Sequence, residues 1–218
     1  MNINFYPFFR FATKPFVKWL WIDQVDGLKN IPTKGPLIIV ANHQSYFDFI
    51  CLSTICPRQI HYFAAEVFYK KWWWRLIVQS TQQIKIERYG PNKKESGKEA
   101  IRQAVHYLQE GKVCGLFPEG TRSRTGKMQK AFTGAAKLSL LSKAPIIPIG
   151  IIGTYEIMSP HENFPHLHKS KIKIGKPMRF PQFENQKNDP LVLRKITNQV
   201  MQKIAELSEQ EYLFNESQ

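Results

Sequence analysis

Cysteine is scarce in this chain, and its few cysteines do not support a disulfide framework. The 218 residues include Cys51, Cys56 and Cys114, and each lies in an apolar segment. Cysteines in such segments usually serve as small core residues in proteins of reducing compartments. Cys51 and Cys56 also have no other ligand types close to them in sequence, so no metal site is expected there. The sequence therefore excludes a small domain held together by disulfides.

Long uncharged apolar runs are absent as well. A transmembrane helix needs about 20 consecutive apolar residues, and no window of that length is free of charge. Near the N-terminus, Arg10, Lys14 and Lys18 interrupt every stretch that resembles the apolar part of a cleavable signal. We therefore expect neither an ordinary membrane span nor a secretory signal.

Acidic side chains are few relative to basic ones. The chain has 31 lysines and arginines against 17 aspartates and glutamates, and its formal net charge is +14. Such a field attracts acidic lipid surfaces as readily as nucleic acid. The sequence contains no zinc-finger spacing, no RNP-like strand and no basic region joined to heptads. The charge thus favours anionic membrane lipids, and no motif indicates a nucleic-acid partner.

The chain does contain enough apolar material for one sizeable core. Hydrophobic residues make up 43% of it, and no change in composition marks a second globular domain. Short apolar runs alternate with segments of helical periodicity, which predicts a single α/β domain. We divide the chain into an N-terminal segment over residues 1–24 and a domain over residues 25–218.

The most informative stretch is residues 36–48, where an apolar run changes abruptly to polar residues. Leu37 to Ala41 predicts a strand that is buried on both faces. Asn42-His43-Gln44-Ser45 then supplies the turn and capping residues expected between a strand and a helix. Because ligands of open α/β sheets bind at the carboxyl ends of strands, His43 occupies a position suited to chemistry.

His43 and Asp48 suit a general base and the group that orients it. The carboxylate would accept the Nδ1 proton, and Nε2 would be left to take a proton from a substrate hydroxyl. Five residues is too far for one helical face, so the pair requires the turn that Gln44-Ser45 permits. The alternative interpretation is a partly buried structural histidine, with Asp48 in the first turn of a helix.

A second polar block, Phe117-Pro118-Glu119-Gly120-Thr121-Arg122-Ser123, follows another apolar run, Val113 to Phe117. Gly120 permits close approach of a ligand, and Arg122 offers a planar fork for phosphate oxygens between two hydroxyl residues. By itself this block also fits a surface turn.

Together, Asn42-His43-Gln44-Ser45-x-x-Asp48 and Phe117 to Ser123 resemble the glycerolipid acyltransferase family, specifically its lysophosphatidate (1-acylglycerol-3-phosphate) acyltransferases. The resemblance covers roughly residues 25–180. It implies a mixed, mostly parallel sheet covered by helices. It also implies transfer of a fatty acyl group from an acyl carrier protein or coenzyme A thioester to the free hydroxyl of 1-acylglycerol 3-phosphate, which makes phosphatidate without a cofactor or a metal.

The resemblance and the residue chemistry together give each candidate a role. We assign catalysis to His43 and Asp48. We assign substrate binding to Arg88, Glu119, Gly120, Thr121, Arg122 and Ser123. An ionised Glu119 would repel phosphate, so we expect it to orient a neighbouring cation or the polar groups of the acceptor. Two alternatives stay open: an acyltransferase for glycerol 3-phosphate or another lysolipid, and a non-catalytic peripheral protein that only binds anionic lipid.

Arg88 is assigned from a partial match. Ile84 to Arg88 alternates like a strand and resembles the family's second motif, whose arginine helps to hold the glycerol phosphate. The glycine that usually precedes this strand is replaced by Gln82. The alternative for Arg88 is an exposed charge at the end of a strand.

The N-terminal segment mixes aromatic and basic residues in the manner of a membrane–water interface. Residues 1–22 hold eight aromatic side chains, among them Phe8 and Phe9, and no acid. We therefore predict a membrane-interface arm, with an arm packed on the core as the alternative. Pro7 and Pro15 should limit any single long helix. The expected location is the cytoplasmic face of a membrane, peripheral or monotopic.

A second such segment covers residues 66–80, which include Trp72, Trp73 and Trp74 among basic residues. Three consecutive tryptophans cannot all face one core from a helix, so at least one should be exposed or membrane-facing. The alternative is the wall of an acyl-chain groove. Elsewhere, Trp19 to Val25 predicts a first strand, and Asp189-Pro190 predicts the start of a C-terminal amphipathic helix.

Overall fold

The computed structural model of the chain describes residues 6–214, except for the side chains of Phe8 and Phe9. Within this range the strands are β1 Ile22–Asp26, β2 Leu37–Ala41, β3 Ile60–Ala65, β4 Ile84–Ile86, β5 Val113–Leu116, β6 Ile146–Ile152 and β7 Ser170–Ile174. The α-helices are α1 Tyr6–Trp21, α2 Phe47–Ile55, α3 Trp72–Ser80, α4 Lys93–Gln109, α5 Gly134–Ser142, α6 Thr154–Ile157 and α7 Pro190–Ser208. Short 3-10 turns occupy Leu28–Asn30, Glu66–Tyr69 and Pro181–Gln186.

One sheet organises the molecule, with the strand order β1-β7-β6-β2-β5-β3-β4. Neighbouring strands run parallel, except that β6 and β7 are antiparallel. Strand β2 lies in the middle of this order and is buried along its whole length. An uninterrupted apolar strand is what a sheet covered on both faces requires. The predicted α/β domain with a mixed, mostly parallel sheet is thereby confirmed.

Two hydrophobic layers cover the faces of the sheet. Ile38 and Val40 of β2 face a layer that contains residues of α4, α5 and α7. Leu37 and Ile39 face the opposite layer, which includes residues of α1 and α2. This alternation follows from the two-residue period of a strand. It fixes β2 from both sides, so the turn that follows β2 begins from a rigid base.

The C-terminal helix forms where the sequence predicts it. The Asp189 carboxylate accepts hydrogen bonds from the amides of Leu191 and Val192, at 2.9 and 3.4 Å, and caps the first turn of α7. The far end of the helix lies against β6 at Gly150, where an added Cβ would come within 2.3 Å of the Leu207 backbone. Because Gly150 has no side chain, α7 can pack closely on the sheet.

The N-terminal region differs from its prediction. The strand expected to begin at Trp19 begins at Ile22, because α1 continues to Trp21. A single helix also runs through Pro15, contrary to the limit expected from the prolines. Pro15 removes the hydrogen bond that the Phe11 carbonyl would otherwise accept, and both residues are exposed. The division of the chain near residue 24 stays a prediction.

The three cysteines are all buried, as expected. Burial raises the pKa of the Cys51 and Cys114 thiols to about 12. Since the thiolate is the nucleophilic form, these two residues are poor nucleophiles. Among residues 6–214, every helix is too short or too polar to span a membrane.

Candidate active site

The turn after β2 is fixed by an asparagine. Both ends of the Asn42 side-chain amide bond the backbone of Ile151: Nδ2 donates to its carbonyl at 2.9 Å, and Oδ1 accepts from its amide at 2.8 Å. Asn42 is buried, so these bonds satisfy polar groups that water does not reach. The end of β2 is thereby joined to the end of β6, directly before His43.

His43 and Asp48 are in contact. Nδ1 of His43 lies 2.8 Å from Oδ2 of Asp48, which also accepts from the amides of Gln44 and Ser45 at 2.7 and 2.8 Å. An ionised carboxylate only accepts, so Nδ1 carries the shared proton and Nε2 is the acceptor nitrogen. Asp48 lies in the first turn of α2, and the turn between the two residues brings them together as the sequence requires.

Asp48 is held on its other oxygen by Thr154. The Thr154 hydroxyl donates to Oδ1 at 2.5 Å, and both side chains are fully buried. Both carboxylate oxygens of Asp48 thus have hydrogen-bond donors, as a buried polar group requires. On the other side of the histidine, the imidazole stacks on the Phe117 ring at 4.1 Å between centroids and 15° between planes. The ring of His43 is therefore restrained in both position and tilt.

Glu119 connects the second block to the first. Its Oε1 accepts from the His43 amide at 2.8 Å, and its Oε2 accepts from the Gln129 amide at 2.9 Å. In the same region the Ser123 amide donates to the His43 carbonyl at 2.8 Å. Burial raises the pKa of Glu119 to about 7, although the two amide donors act to lower it. With 3% of Glu119 exposed, these contacts make it a brace between two loops.

Gly120 and Arg88 are also brought together. Nη1 of Arg88 donates to the Gly120 carbonyl at 2.6 Å, and the Arg88 amide donates to Glu66 at 3.1 Å. Gly120 has a φ of 72°, a value that favours glycine. The strand β4 ends at Ile86, so Arg88 lies just after it and not at the end of a strand over Ile84 to Arg88 as the sequence predicts. Gln82, which precedes β4, has a φ of 53°. The residue that replaces the family's usual glycine thus adopts a glycine-like backbone.

Arg122 and Thr121 line a cavity. Its volume is about 350 Å³, and its other lining residues are Arg124, Pro160 and His161. His43 is not among the described residues that line it. Nη1 of Arg122 is buried and has no hydrogen-bond partner among the described residues. Ser123 points elsewhere: it is fully buried, and its hydroxyl accepts from the Thr125 amide at 3.3 Å.

The aromatic residues of α3 lie next to this region. Trp72 and Trp73 are exposed, which confirms that at least one of the three tryptophans faces outward. Trp74 is partly buried and contacts Phe68 at 5.4 Å between ring centroids, and Phe68 in turn contacts Tyr46 at 6.5 Å. These contacts connect α3 to the turn that carries His43. The side chains of Phe8 and Phe9 lie outside the described part of the structure.

Sequence reasoning missed several residues of the site. Thr154, Gln129 and Tyr46 contact the predicted residues, and Asn42 was read only as a turn former. Thr154 follows Gly153 at the end of β6, but no local pattern relates it to Asp48, which lies 106 positions away. Only knowledge that β2 and β6 are neighbours makes that contact predictable.

The geometry defines an α/β protein with a histidine–carboxylate pair at the carboxyl end of a central strand. A sequence profile of the family described as Acyltransferase matches residues 24–152, more than half of the chain. The chain therefore belongs to the acyltransferase family. The prediction of an enzyme of this class is confirmed.

Relatives whose names state an activity support the same family. A 1-acyl-sn-glycerol-3-phosphate acyltransferase from Bacillus subtilis is 27% identical over 161 residues, which cover 73% of this chain and 75% of that protein. One from Pseudomonas aeruginosa is 32% identical over 127 residues, which cover 58% of this chain and 48% of that protein. A chloroplastic relative from Brassica napus is 24% identical, and the match covers 41% of its length.

A solved structure supports the fold. The 1-acyl-sn-glycerophosphate acyltransferase PlsC from Thermotoga maritima superposes with a TM-score of 0.70 and is 23% identical. The match covers 95% of this chain and 83% of the Thermotoga chain. At this level of identity the likeness establishes a shared fold, and the particular reaction has to be argued from the site.

Proposed function

We propose that this enzyme transfers a fatty acyl group from an acyl thioester to the free hydroxyl of 1-acylglycerol 3-phosphate, forming phosphatidate. The observation that carries the proposal is the 2.8 Å contact between His43 and Asp48, held in place by the block from Glu119 to Ser123. The relatives from Bacillus subtilis and Pseudomonas aeruginosa, whose names specify this acceptor, support the choice of substrate.

In this proposal His43 is the general base. Nε2 takes the proton of the acceptor hydroxyl while the hydroxyl oxygen attacks the thioester carbonyl carbon. The C–O bond forms, the C–S bond breaks, and the departing thiolate receives the proton from the imidazolium. Asp48 keeps the proton on Nδ1 and stabilises the positive ring. The acceptor supplies the nucleophile, so no covalent acyl-enzyme is required.

Arg122 is proposed to bind the acceptor phosphate. The support is its buried Nη1 donor, which has no partner within residues 6–214, and the position of the guanidinium beside a cavity. A planar guanidinium suits phosphate oxygens because two parallel N–H groups can donate at once. Thr121 lines the same cavity and offers a hydroxyl.

The remaining predicted substrate-binding residues have a different part in the proposal. Arg88, Glu119, Gly120 and Ser123 are proposed to shape the loop beneath the phosphate, since each makes at least one described contact with a backbone group of the two blocks. Acyl carrier protein or coenzyme A supplies the acyl group as a cosubstrate. The proposed chemistry uses no cofactor and no metal.

We also propose that the enzyme works at the cytoplasmic face of a membrane. Exposed Trp72, Trp73 and Leu76 on α3 lie among the exposed cations Lys71 and Arg75. Aromatic rings and cations together suit the headgroup level of an anionic bilayer. The segment over residues 1–24, with Phe8 and Phe9, is proposed as a further interface element that precedes the acyltransferase domain over residues 25–218.

The test is an acyl-transfer assay on the purified full chain with anionic vesicles. Labelled acyl coenzyme A and acyl carrier protein thioesters are each offered with 1-acylglycerol 3-phosphate, glycerol 3-phosphate or another lysolipid. We expect labelled phosphatidate as the main product. His43→Ala should abolish transfer and leave vesicle binding unchanged. A folded wild-type protein that acylates none of these acceptors in the presence of vesicles contradicts the proposal.

A further inference from the structure

The first helix has two apolar sides, and only one of them is covered. Its inner side packs on α2, where Val17 is buried and the Arg10 guanidinium donates to the Pro57 carbonyl at 3.3 Å. At about 100° per residue, Phe11 and Trp19 lie on the opposite side of the helix. Phe11 is 84% exposed, and Trp19 is also exposed. The outer side of α1 is therefore apolar and has no partner among the described residues.

The loop over residues 163–169, which is hydrogen-bonded to the C-terminal end of α1, also exposes large apolar side chains. Phe164 and Leu167 are each 81% exposed. The loop is tied to α1 on both sides of Leu167: the Trp21 indole donates to the His166 carbonyl at 3.0 Å, and the Lys169 ammonium donates to the Trp19 carbonyl. The exposed side chains are thus held beside the C-terminal end of α1.

The charges around these residues indicate what they contact. Residues 6–21 and 163–169 contain no aspartate or glutamate, whereas Lys14, Lys18 and Lys169 are all exposed. Glu162, which directly precedes the loop, is paired with His166 at 2.9 Å. Large apolar side chains interspersed with lysines suit the headgroup region of an anionic bilayer, where rings and alkyl chains enter the boundary and cations meet lipid phosphates.

We propose that the outer side of α1 and the loop over residues 163–169 form one lipid-contact surface, with Phe164 and Leu167 inserted at the headgroup boundary of an anionic membrane. This rests on the proposed function, because a long-chain lysolipid acceptor partitions into a bilayer, where the enzyme would have to reach it. The loop thereby adds a second membrane contact next to that of α1.

Vesicle binding tests this surface. The full chain carrying Phe164→Ser and Leu167→Ser is compared with wild type on vesicles of phosphatidylglycerol and phosphatidylcholine. Loss of two inserted side chains should weaken partitioning by on the order of tenfold or more. A chain with Leu191→Ser and Leu213→Ser is the matched control, because those two residues are likewise large, apolar and exposed. It should bind like wild type.

Unchanged vesicle binding of the loop variant, or an equal loss of binding in the control, overturns the proposed lipid-contact surface. Acyl transfer to a short-chain acceptor dispersed as monomers tests the proposed function separately, because that acceptor does not require a membrane. The loop variant should keep the wild-type rate on that acceptor, whereas failure of the proposed function appears as no transfer by the wild type.

A second inference comes from Tyr46, which precedes α2. The centre of the Arg122 guanidinium lies 3.6 Å from the centroid of the Tyr46 ring. A guanidinium stacked on a ring keeps its plane fixed and its in-plane N–H groups available. One of these donors, on Nη1, is the buried atom without a partner.

We infer that Tyr46 is a positioning residue for Arg122 and thereby sets the orientation of the phosphate-binding donors. This inference also rests on the proposed function. Tyr46→Leu should raise the KM for the acceptor by about 3- to 30-fold, in line with cation–π energies, and change kcat little. Tyr46→Phe keeps the ring and should restore the wild-type KM.

A double-mutant comparison separates positioning from mere structural support. In an Arg122→Met background, Tyr46→Leu should have no further effect on KM, because the cation that the ring holds is absent. An equal rise in KM in both backgrounds overturns the inference, as does a Tyr46→Phe variant as impaired as Tyr46→Leu. A wild-type chain without transfer activity points instead to failure of the proposed function.

Discussion

The backbone amide of His43 donates to Oε1 of Glu119 at 2.8 Å, across 76 positions of sequence. The His43 carbonyl is bound as well, by the Ser123 amide. Both backbone groups of the proposed base are therefore held by the second polar block. The block that is proposed to hold phosphate also fixes the position of the base, so changes in either are expected to affect both.

Two substitutions in the proposed base pair should behave differently. His43→Gln should lower transfer by about 10²–10⁴-fold, the usual size of general-base effects, and leave the melting temperature nearly unchanged. Asp48→Asn should lower transfer and also stability by roughly 1–3 kcal/mol, because its amide cannot accept from every donor that now bonds the carboxylate. Turnover and thermal unfolding measured on both variants check this. Equal stability loss in the two would contradict it.

Thr154 should matter through its hydroxyl. Thr154→Val keeps the shape but removes the donor to Asp48 Oδ1, and a buried carboxylate oxygen then lacks its partner. We expect a loss of roughly 1–3 kcal/mol in the free energy of unfolding and a lower rate of transfer. Thr154→Ser retains the hydroxyl and serves as the control. A serine variant that is impaired while the valine variant behaves like wild type would show that the methyl group, and not the hydroxyl, is what matters.

Glu119 should give stability a pH dependence. Burial raises its pKa to about 7 from 4.5, so between these values the folded chain binds more protons than the unfolded chain. The contribution of Glu119 to the free energy of unfolding therefore falls as pH rises through that window, by on the order of 2–3 kcal/mol.

Urea unfolding checks this sign. Stabilities of wild type and Glu119→Gln are compared at about pH 5 and about pH 8, since the glutamine does not titrate. The advantage of wild type over the variant should shrink at the higher pH. Glu156→Gln, at an exposed position, should show no such change relative to wild type. An advantage that grows with pH would refute the assignment.

Gly120 should resist replacement by alanine. Its φ of 72° is left-handed, and an added Cβ would lie 2.8 Å from the Phe132 ring. That ring is exposed and can move, so backbone strain of about 1–2 kcal/mol should dominate. We expect Gly120→Ala to lose stability by this amount and to bind the acceptor more weakly. Gly134→Ala is the control, because nothing lies within 4 Å of its Cβ position; a similar loss there would argue against strain.

Elements with strong local patterns were predictable. The range of β2 agrees with its prediction at both ends, and α7 begins at the predicted Pro190. The first helix was predicted less well, because prolines normally oppose a helix interior, whereas α1 continues through the exposed Pro15. The contacts of Glu119 were also unexpected. The sequence assigns this residue to substrate binding, but each of its carboxylate oxygens accepts a hydrogen bond from a backbone amide.

The sequence by itself determined the alternation of apolar strands and amphipathic helices, the buried cysteines, and two polar blocks placed directly after strands. These are properties of neighbouring residues, and propensity and periodicity act over a few positions. The tertiary structure decided which side chains meet: Thr154 with Asp48, Arg88 with Gly120, and Tyr46 with Arg122. Those contacts follow from the order of strands in the sheet, because strand order brings together residues that share no local signal along the chain.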